Sequence, residues 1–196
     1  MINEGYIKFN CHWEKGAEID EKFVREINLM RDKLFSLGWI GQYENGIGYG
    51  NISLRHSGGT FVITGSATGG LSNLDSNHYT LVSRYSFSGN MVYCKGPVEA
   101  SSESLSHASV YEQSPESNAV IHIHNKVMWA KLLHQVPTTS QDVEYGTPAM
   151  AEEIARLFGS GQVQQQKIIV MGGHPEGIIS FGSTLEEAAD ILFQYQ

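Results

Sequence analysis

Apolar positions change their spacing along the chain, and this change predicts the elements. Over residues 20–37 apolar residues recur every three or four positions, which is typical of an amphipathic helix. After Gly38 the spacing shortens, and glycine-rich turns separate short apolar runs that indicate strands. The predicted strands cover residues 47–54, 61–64, 119–124, 168–171 and 178–181.

Start and stop signals predict three further helices. A serine pair opens residues 101–113, and Thr-Pro opens residues 147–158, where proline is tolerated in the first turn. Thr184 and Glu187 form a capping box for a last helix. The chain has no internal repeats, so we expect one α/β domain over residues 1–196. Because the strands are short and spaced like hairpins, we expect its central sheet to be mostly antiparallel.

Composition and charge narrow the function classes. The 196 residues are 41% hydrophobic, enough for a full core, and 13 basic against 21 acidic residues give a net charge of −8. This balance argues against nucleic acid and anionic membranes as partners. No apolar run approaches the roughly 20 residues that span a bilayer, and residues 1–5 lack a secretory start. Isolated Cys11 and Cys94 suggest no disulfide framework, so we expect a soluble, cytoplasmic protein.

Histidine placement provides the first chemical signal. His122 and His124 lie two apart in a predicted strand, so both imidazoles project from one face. Neutral imidazoles so placed can chelate Zn²⁺ or a similar ion, although an amphipathic strand that happens to carry histidine gives the same pattern. His174, in a glycine-flanked turn between two predicted strands, is a third candidate ligand.

An acidic residue and two small-residue loops add to this signal. Glu103 stands at a predicted helix start, where the helix dipole alone favours an acid, and His107 shares its helical face and can orient it or pair with it. Residues 48–53 and 64–70 combine glycines, hydroxyls and an amide side chain. Such loops can cradle a phosphate or carboxylate with backbone amides, or be ordinary tight turns.

Taken in order, these pieces resemble the class II aldolase/adducin family, which includes sugar-phosphate aldolases, epimerases and dehydratases. The resemblance extends over about residues 20–196, and its most specific elements are the Ser-Ser-Glu helix start and the His-x-His. The matching residues are Gly50-Asn51-Ile52-Ser53, Thr64-Gly65-Ser66, Ser101-Ser102-Glu103 with His107, His122-Ile123-His124, Gly146-Thr147, and Gly177 with Glu186-Glu187-Ala188.

The resemblance implies a three-layer α/β/α fold, a homotetramer with sites between subunits, and a role for each site residue. It assigns one divalent cation (Zn²⁺, or Mn²⁺, Co²⁺ or Fe²⁺) to His122, His124 and His174, and acid/base catalysis to Glu103. Tyr145 is a second acid candidate that reaches a neighbouring subunit's site. The substrate phosphate pocket it implies consists of Asn51, Thr64, Gly65, Ser66, Ser101 and Ser102.

The implied activity is that of a metal-dependent aldolase-type lyase of carbohydrate metabolism acting on a small sugar-like hydroxyketone, in phosphorylated form. The cation polarises the carbonyl and stabilises an enediolate, while Glu103 moves the neighbouring proton. An epimerase or dehydratase on the same scaffold and a non-catalytic adducin-like interaction module are the alternatives. A cupin barrel fits poorly, because Met128 stands where a cupin has a ligating Glu.

Two departures from the family pattern affect these assignments. Family aldolases commonly carry a His immediately before the glycine equivalent to Gly177, where this chain has Glu176, so the third ligand role falls to His174. The loop over residues 64–70 is also longer than in sugar-phosphate aldolases, which bears on phosphate recognition.

Overall fold

The computed structural model describes residues 6–196. Residues 1–5, which entered the expectation of no secretory signal, lie outside the described residues. The strands are β1 Asn10–Lys15, β2 Gly41–Gln42, β3 Gly48–Tyr49, β4 Asn51–Arg55, β5 Phe61–Thr64, β6 Tyr79–Ser86, β7 Met91–Gly96, β8 Ala119–His124, β9 Ile168–Val170 and β10 Gly177–Gly182. The helices are α1 Glu21–Ser36, α2 Ser104–Gln113, α3 Lys126–Leu132, α4 Pro148–Phe158, α5 Gln162–Gln166 and α6 Leu185–Phe193.

Eight strands form one mixed sheet in the order β1-β7-β6-β5-β4-β8-β10-β9. Neighbours from β7 to β9 pair antiparallel, whereas β1 pairs parallel with β7 at the edge. The single parallel pair makes the sheet mixed, because β1 joins it from far away in the chain and is not part of a hairpin. β2 and β3 form a separate two-stranded ribbon.

The centre of the sheet carries the predicted histidines. β8 lies between β4 and β10, with His122 opposite Asn51 and Ile179, and His124 opposite Gly177. Alternation along β8 buries Ile121 in an apolar cluster with α1, α3 and α6. The histidines share the opposite face, where α2, α4 and α5 pack against a second apolar cluster. Helices therefore cover both faces, and the histidines lie beneath α2.

Several predicted elements are confirmed. The predicted strands over residues 61–64 and 119–124 coincide with β5 and β8. The Asp20 side chain caps α1 by accepting a hydrogen bond from the Lys22 amide, and Thr147 caps α4 in the same manner. Within residues 6–196 no helix has both the length and the apolar character needed to cross a membrane.

Other elements differ from prediction for local reasons. The predicted strand 47–54 is broken at Gly50, which has φ 77° and whose added Cβ would lie 2.7 Å from Ile40 Cγ1. The helix predicted from residue 101 begins at Ser104, after a turn over residues 101–103. At the start of α6 the Thr184 hydroxyl accepts a hydrogen bond from the Glu187 amide, as the capping box predicts. The Glu187 carboxylate accepts from the Ser183 amide and not from the Thr184 amide, so only half of the box forms.

Candidate active site

Three imidazoles converge at the middle of the sheet. His122 and His124 project from β8, and His174 comes from the turn between β9 and β10. The Nε2 atom of His124 lies 3.1 Å from Nε2 of His122 and 3.1 Å from Nε2 of His174, and all three residues are buried. A Cβ at Gly177 would lie 2.4 Å from His174 Cδ2, so this position needs glycine for the rings to approach.

The chemistry of these donors fits a divalent cation. The His122 Nδ1 atom lies 3.2 Å from the Ile178 carbonyl, which can only accept, so Nδ1 carries the proton and Nε2 presents its lone pair. Burial, together with the His124 and His174 imidazoles, holds the pKa of His122 well below its usual value, which favours the neutral ligand form. Two nitrogens bound to tetrahedral Zn²⁺ at about 2.1 Å lie roughly 3.4 Å apart, close to the observed 3.1 Å.

Glu103 is positioned by the start of α2. It occupies the N-cap position, its side chain is buried, and its Oε2 atom accepts a hydrogen bond from Ser106 Oγ at 2.6 Å. His107 bonds elsewhere, since its Nδ1 lies 2.7 Å from Ser53 Oγ. Burial lowers the pKa of His107 to about 3, so this imidazole is neutral. The hydrogen bond that orients the Glu103 carboxylate therefore comes from Ser106.

A cavity of about 190 Å³ brings most of the predicted residues together. Its wall consists of loops 46–51 and 65–69, the turn 101–103, Tyr6 and His122. Six predicted binding and catalytic residues line it: Asn51, Gly65, Ser66, Ser101, Ser102 and Glu103. Thr64 lies behind this wall, where its hydroxyl accepts a hydrogen bond from the Ile52 amide at 3.3 Å. Among the described residues, the buried Asn51 Oδ1 has no hydrogen-bond partner, which leaves an acceptor available to a bound hydroxyl.

Arg31 is a functional candidate that the sequence interpretation missed. Its side chain is 1% exposed, and Nη2 donates to the carbonyls of Thr68, Gly69 and Leu71 at 3.1, 3.1 and 2.6 Å. Within the part of the chain that the structure describes, no lysine or arginine lines the cavity, so Arg31 brings positive charge behind the loop. The signal was a basic residue on the apolar stripe of α1.

Three aromatic and acidic neighbours complete the surroundings of the histidines. Tyr145 is turned inward, with its ring centroid 4.6 Å from that of His174 and its hydroxyl 3.3 Å from the Tyr6 amide. Tyr145 therefore lies beside His174 of its own chain, and its role as a second acid reaching a neighbouring subunit's site stays a prediction. Tyr43 and Glu176, also missed, lie behind His124.

A family model and several solved structures match this chain. The family described as Class II Aldolase and Adducin N-terminal domain matches residues 41–196. No curated protein matches the chain.

Solved structures show the same fold. L-fuculose 1-phosphate aldolase superposes with a TM-score of 0.68 at 17% identity, over 90% of this chain and 82% of that chain. YgbL from Escherichia coli, an aldolase/epimerase/decarboxylase candidate, gives 0.66 at 19% identity, over 89% of this chain and 84% of the other. A sugar-phosphate aldolase from Thermotoga maritima gives 0.64 at 16% identity, over 89% and 90%. At these identities the likeness is one of fold.

Proposed function

The chain belongs to the class II aldolase and adducin N-terminal domain family, and from that premise we propose that it is a divalent-metal-dependent lyase of aldolase type. The proposed substrate is a small sugar-like hydroxyketone that carries a phosphate. One observation supports this most: three buried imidazoles cluster together, and one of them, His122, lines the same small cavity as the buried Glu103 carboxylate. The family is typically dependent on a divalent metal and generally enzymatic.

His122, His124 and His174 are the residues that would hold the cation, which when bound supplies positive charge for negative charge developing on substrate oxygens. Catalytic zinc sites typically have three protein ligands, as here. Imidazole nitrogens also bind Mn²⁺, Co²⁺ and Fe²⁺, with lower affinity than Zn²⁺. Because an imidazole ligand carries no negative charge, the three rings do not offset the charge of the ion.

Glu103 is proposed as the acid/base. In bond formation its carboxylate takes the proton from the carbon beside the substrate carbonyl, and in cleavage it returns that proton. The Ser106 hydroxyl donates to the Glu103 carboxylate and so holds it at the cavity wall, where it can accept the substrate's proton. General acid/base catalysis of this kind contributes roughly 10²–10⁴ in rate.

The rest of the cavity wall is proposed to hold the substrate. Ser66, Ser101 and Ser102 offer hydroxyl donors beside the backbone of loop 65–69. Arg31 contributes positive charge from behind that loop through its carbonyl contacts. A phosphate or a similar anion would be bound there without a basic side chain in direct contact. Asn51 would accept a hydrogen bond from a substrate hydroxyl.

The proposal is tested with a panel of ketose phosphates and hydroxyketones. Aldehyde release and solvent deuterium exchange into the substrate are measured for protein loaded with Zn²⁺ or Mn²⁺. We expect both to be lost on chelation and restored by the metal. Glu103→Gln should lower both at least about 10²-fold while the fold and metal content persist. Glu112→Gln, an exposed acid on the same helix, is the matched control.

The outcomes separate the alternatives. Exchange without cleavage would favour an epimerase or dehydratase on the same scaffold. The absence of any metal-dependent exchange or cleavage would contradict the enzyme proposal and favour an adducin-like interaction module. As the resemblance implies, we also propose a homotetramer acting in carbohydrate metabolism, and its cytoplasmic location stays a prediction.

A further inference from the structure

We infer that Tyr43 and Glu176 form a hydrogen-bonded pair that positions His124. The pair holds the ring so that its unprotonated Nε2 atom faces the other two histidines. Neither residue lies among the proposed metal ligands. The inference deepens the proposed function, on which it rests only in taking the three histidines as the metal centre.

The contacts fix the direction of each hydrogen bond. The Tyr43 hydroxyl donates to Glu176 Oε2 at 2.9 Å, and the same hydroxyl oxygen lies 2.9 Å from His124 Nδ1. Because its single proton goes to the carboxylate, the hydroxyl oxygen accepts from His124, and Nδ1 must carry a proton. A neutral ring protonated at Nδ1 has its lone pair at Nε2, the atom that lies 3.1 Å from both partner imidazoles.

The surrounding elements hold this pair in place. Tyr43 lies in the turn between β2 and β3, where its amide donates to the Ile47 carbonyl and its carbonyl accepts from the Gly46 amide, each at 2.9 Å. Its ring packs on Tyr49, with centroids 4.5 Å apart, and Tyr49 in turn lies 5.3 Å from the His124 ring. The tight turn and the packing of Tyr43 on Tyr49 therefore fix the position of the Tyr43 hydroxyl.

Glu176 reaches its position at a conformational cost. Its φ of 74° lies in the left-handed region, which residues with a Cβ rarely adopt. Glycine would occupy this position without strain, yet the chain carries a glutamate there, directed at Tyr43. A strained residue held by a specific polar contact beside a site is the pattern expected of a functional constraint.

The pair prevents a competing arrangement of the histidines. Without an acceptor for Nδ1–H, His124 can carry its proton on Nε2 instead and donate to the neighbouring Nε2 atoms. That tautomer has no lone pair facing the site. Hydrogen-bonded partners of ligating histidines also raise ligand basicity, and their loss typically weakens metal binding 10–100-fold.

The test measures zinc affinity, and not activity alone. The full-length protein is stripped with a chelator, and its dissociation constant for Zn²⁺ is determined by competition with a metal-binding dye. Tyr43→Phe removes the hydroxyl and keeps the ring, while Glu176→Gln keeps the shape and removes the charge. We expect 10–100-fold weaker binding in Tyr43→Phe, and weaker binding in Glu176→Gln. The double variant should be no weaker than Tyr43→Phe, because Glu176 acts through the hydroxyl.

A spectroscopic readout keeps the inference independent of stability. Nitrogen-15 NMR of the metal-free protein should show His124 protonated at Nδ1, with a shift toward Nε2 in Tyr43→Phe. Tyr93→Phe, a tyrosine of β7 outside the site, is the matched control and should leave both measurements unchanged.

The possible results distinguish this inference from the proposed function. Unchanged zinc affinity and an unchanged His124 tautomer in both variants would overturn the inference, even if the enzyme cleaves its substrate. Weakened binding and a shifted tautomer would support the inference, even if no substrate in the panel is turned over. A wild-type chain that binds no zinc, with His124 protonated at Nε2, would overturn the inference as well.

Discussion

The buried imidazole of His107 lies about one turn along α2 from Glu103. It bonds Ser53, which also lies 2.8 Å from the Tyr111 hydroxyl, so the three side chains form a polar network beneath α2. Burial lowers the pKa of His107 to about 3. At neutral pH this residue is therefore a structural element of the core.

This shift predicts how stability depends on pH. The unfolded His107 has a pKa near 6.5, so between about pH 6.5 and pH 3 the unfolded state binds more protons than the folded state. His107 therefore contributes stability above pH 6.5 that is lost as the pH falls through this window, by up to about 1.4 kcal/mol per pH unit. In His107→Gln the free energy of unfolding by urea, measured with chelator present, should fall less steeply between pH 6.5 and 4.5.

The control for this measurement is His12→Gln, which replaces an exposed histidine of β1. It should retain the wild-type slope. Equal slopes in His107→Gln and the wild type would show that the imidazole is protonated in the folded state, and would contradict its role as a neutral core residue.

Helix α1 and loop 65–71 act together at the scale of elements. Arg31 connects them, since its Nη2 atom donates to the Thr68, Gly69 and Leu71 carbonyls. The arginine is buried beside Phe35, whose ring centroid lies 5.1 Å from its guanidinium carbon. The helix thereby fixes the loop that lines the cavity.

Arg31→Lys should therefore loosen the loop. Lysine keeps the charge but presents a compact ammonium in place of the planar guanidinium whose Nη2 atom meets three carbonyls. We expect a loss of about 1.5–3 kcal/mol in the free energy of unfolding, measured with urea, together with a raised KM for an anionic substrate. Arg25→Lys, on the exposed side of the same helix, should stay within about 0.5 kcal/mol of the wild type. An equally small change in Arg31→Lys would contradict this role.

Elements whose apolar residues recur at a regular spacing could be predicted from the sequence, and the other elements could not. β5 and β8 are buried apolar runs, and α1 has an apolar stripe with a cap. β6 was missed because a register shift between Val82 and Arg84 interrupts its alternation. β1 was missed because it is an edge strand with mostly exposed side chains, and no apolar period marks it.

The same division holds for the site. His122 and His124 were visible because a spacing of two residues on a strand places both rings on one face. Tyr43 lies 81 positions from His124, and Arg31 lies 37 positions from Thr68, so only the tertiary fold reveals these contacts. Glu176 gave one local signal, since it stands in the histidine turn where the family commonly has another residue.

At the scale of the whole molecule, several large apolar side chains lie at the surface. Leu29 is 65% exposed and Val127 is 79% exposed, and Tyr6, 62% exposed, lines the cavity itself. Exposed apolar side chains of this size are typical of contact surfaces when they form a patch. The homotetramer proposed from the family resemblance would cover side chains of this kind.

Light scattering coupled to gel filtration measures the oligomeric state directly. At micromolar concentration we expect a mass about four times 21.7 kDa. A mass near 21.7 kDa under the same conditions would count decisively against the tetramer.

Metal content is the measurement that tests the central claim most directly. The wild-type protein, purified without chelator and analysed by plasma mass spectrometry, should carry one divalent cation per chain. His122→Ala and His174→Ala should each lose that cation while circular dichroism shows a retained fold, and His134→Ala, outside the site, should keep it. Unchanged metal content in both His122→Ala and His174→Ala would contradict the three-histidine centre on which the proposed chemistry depends.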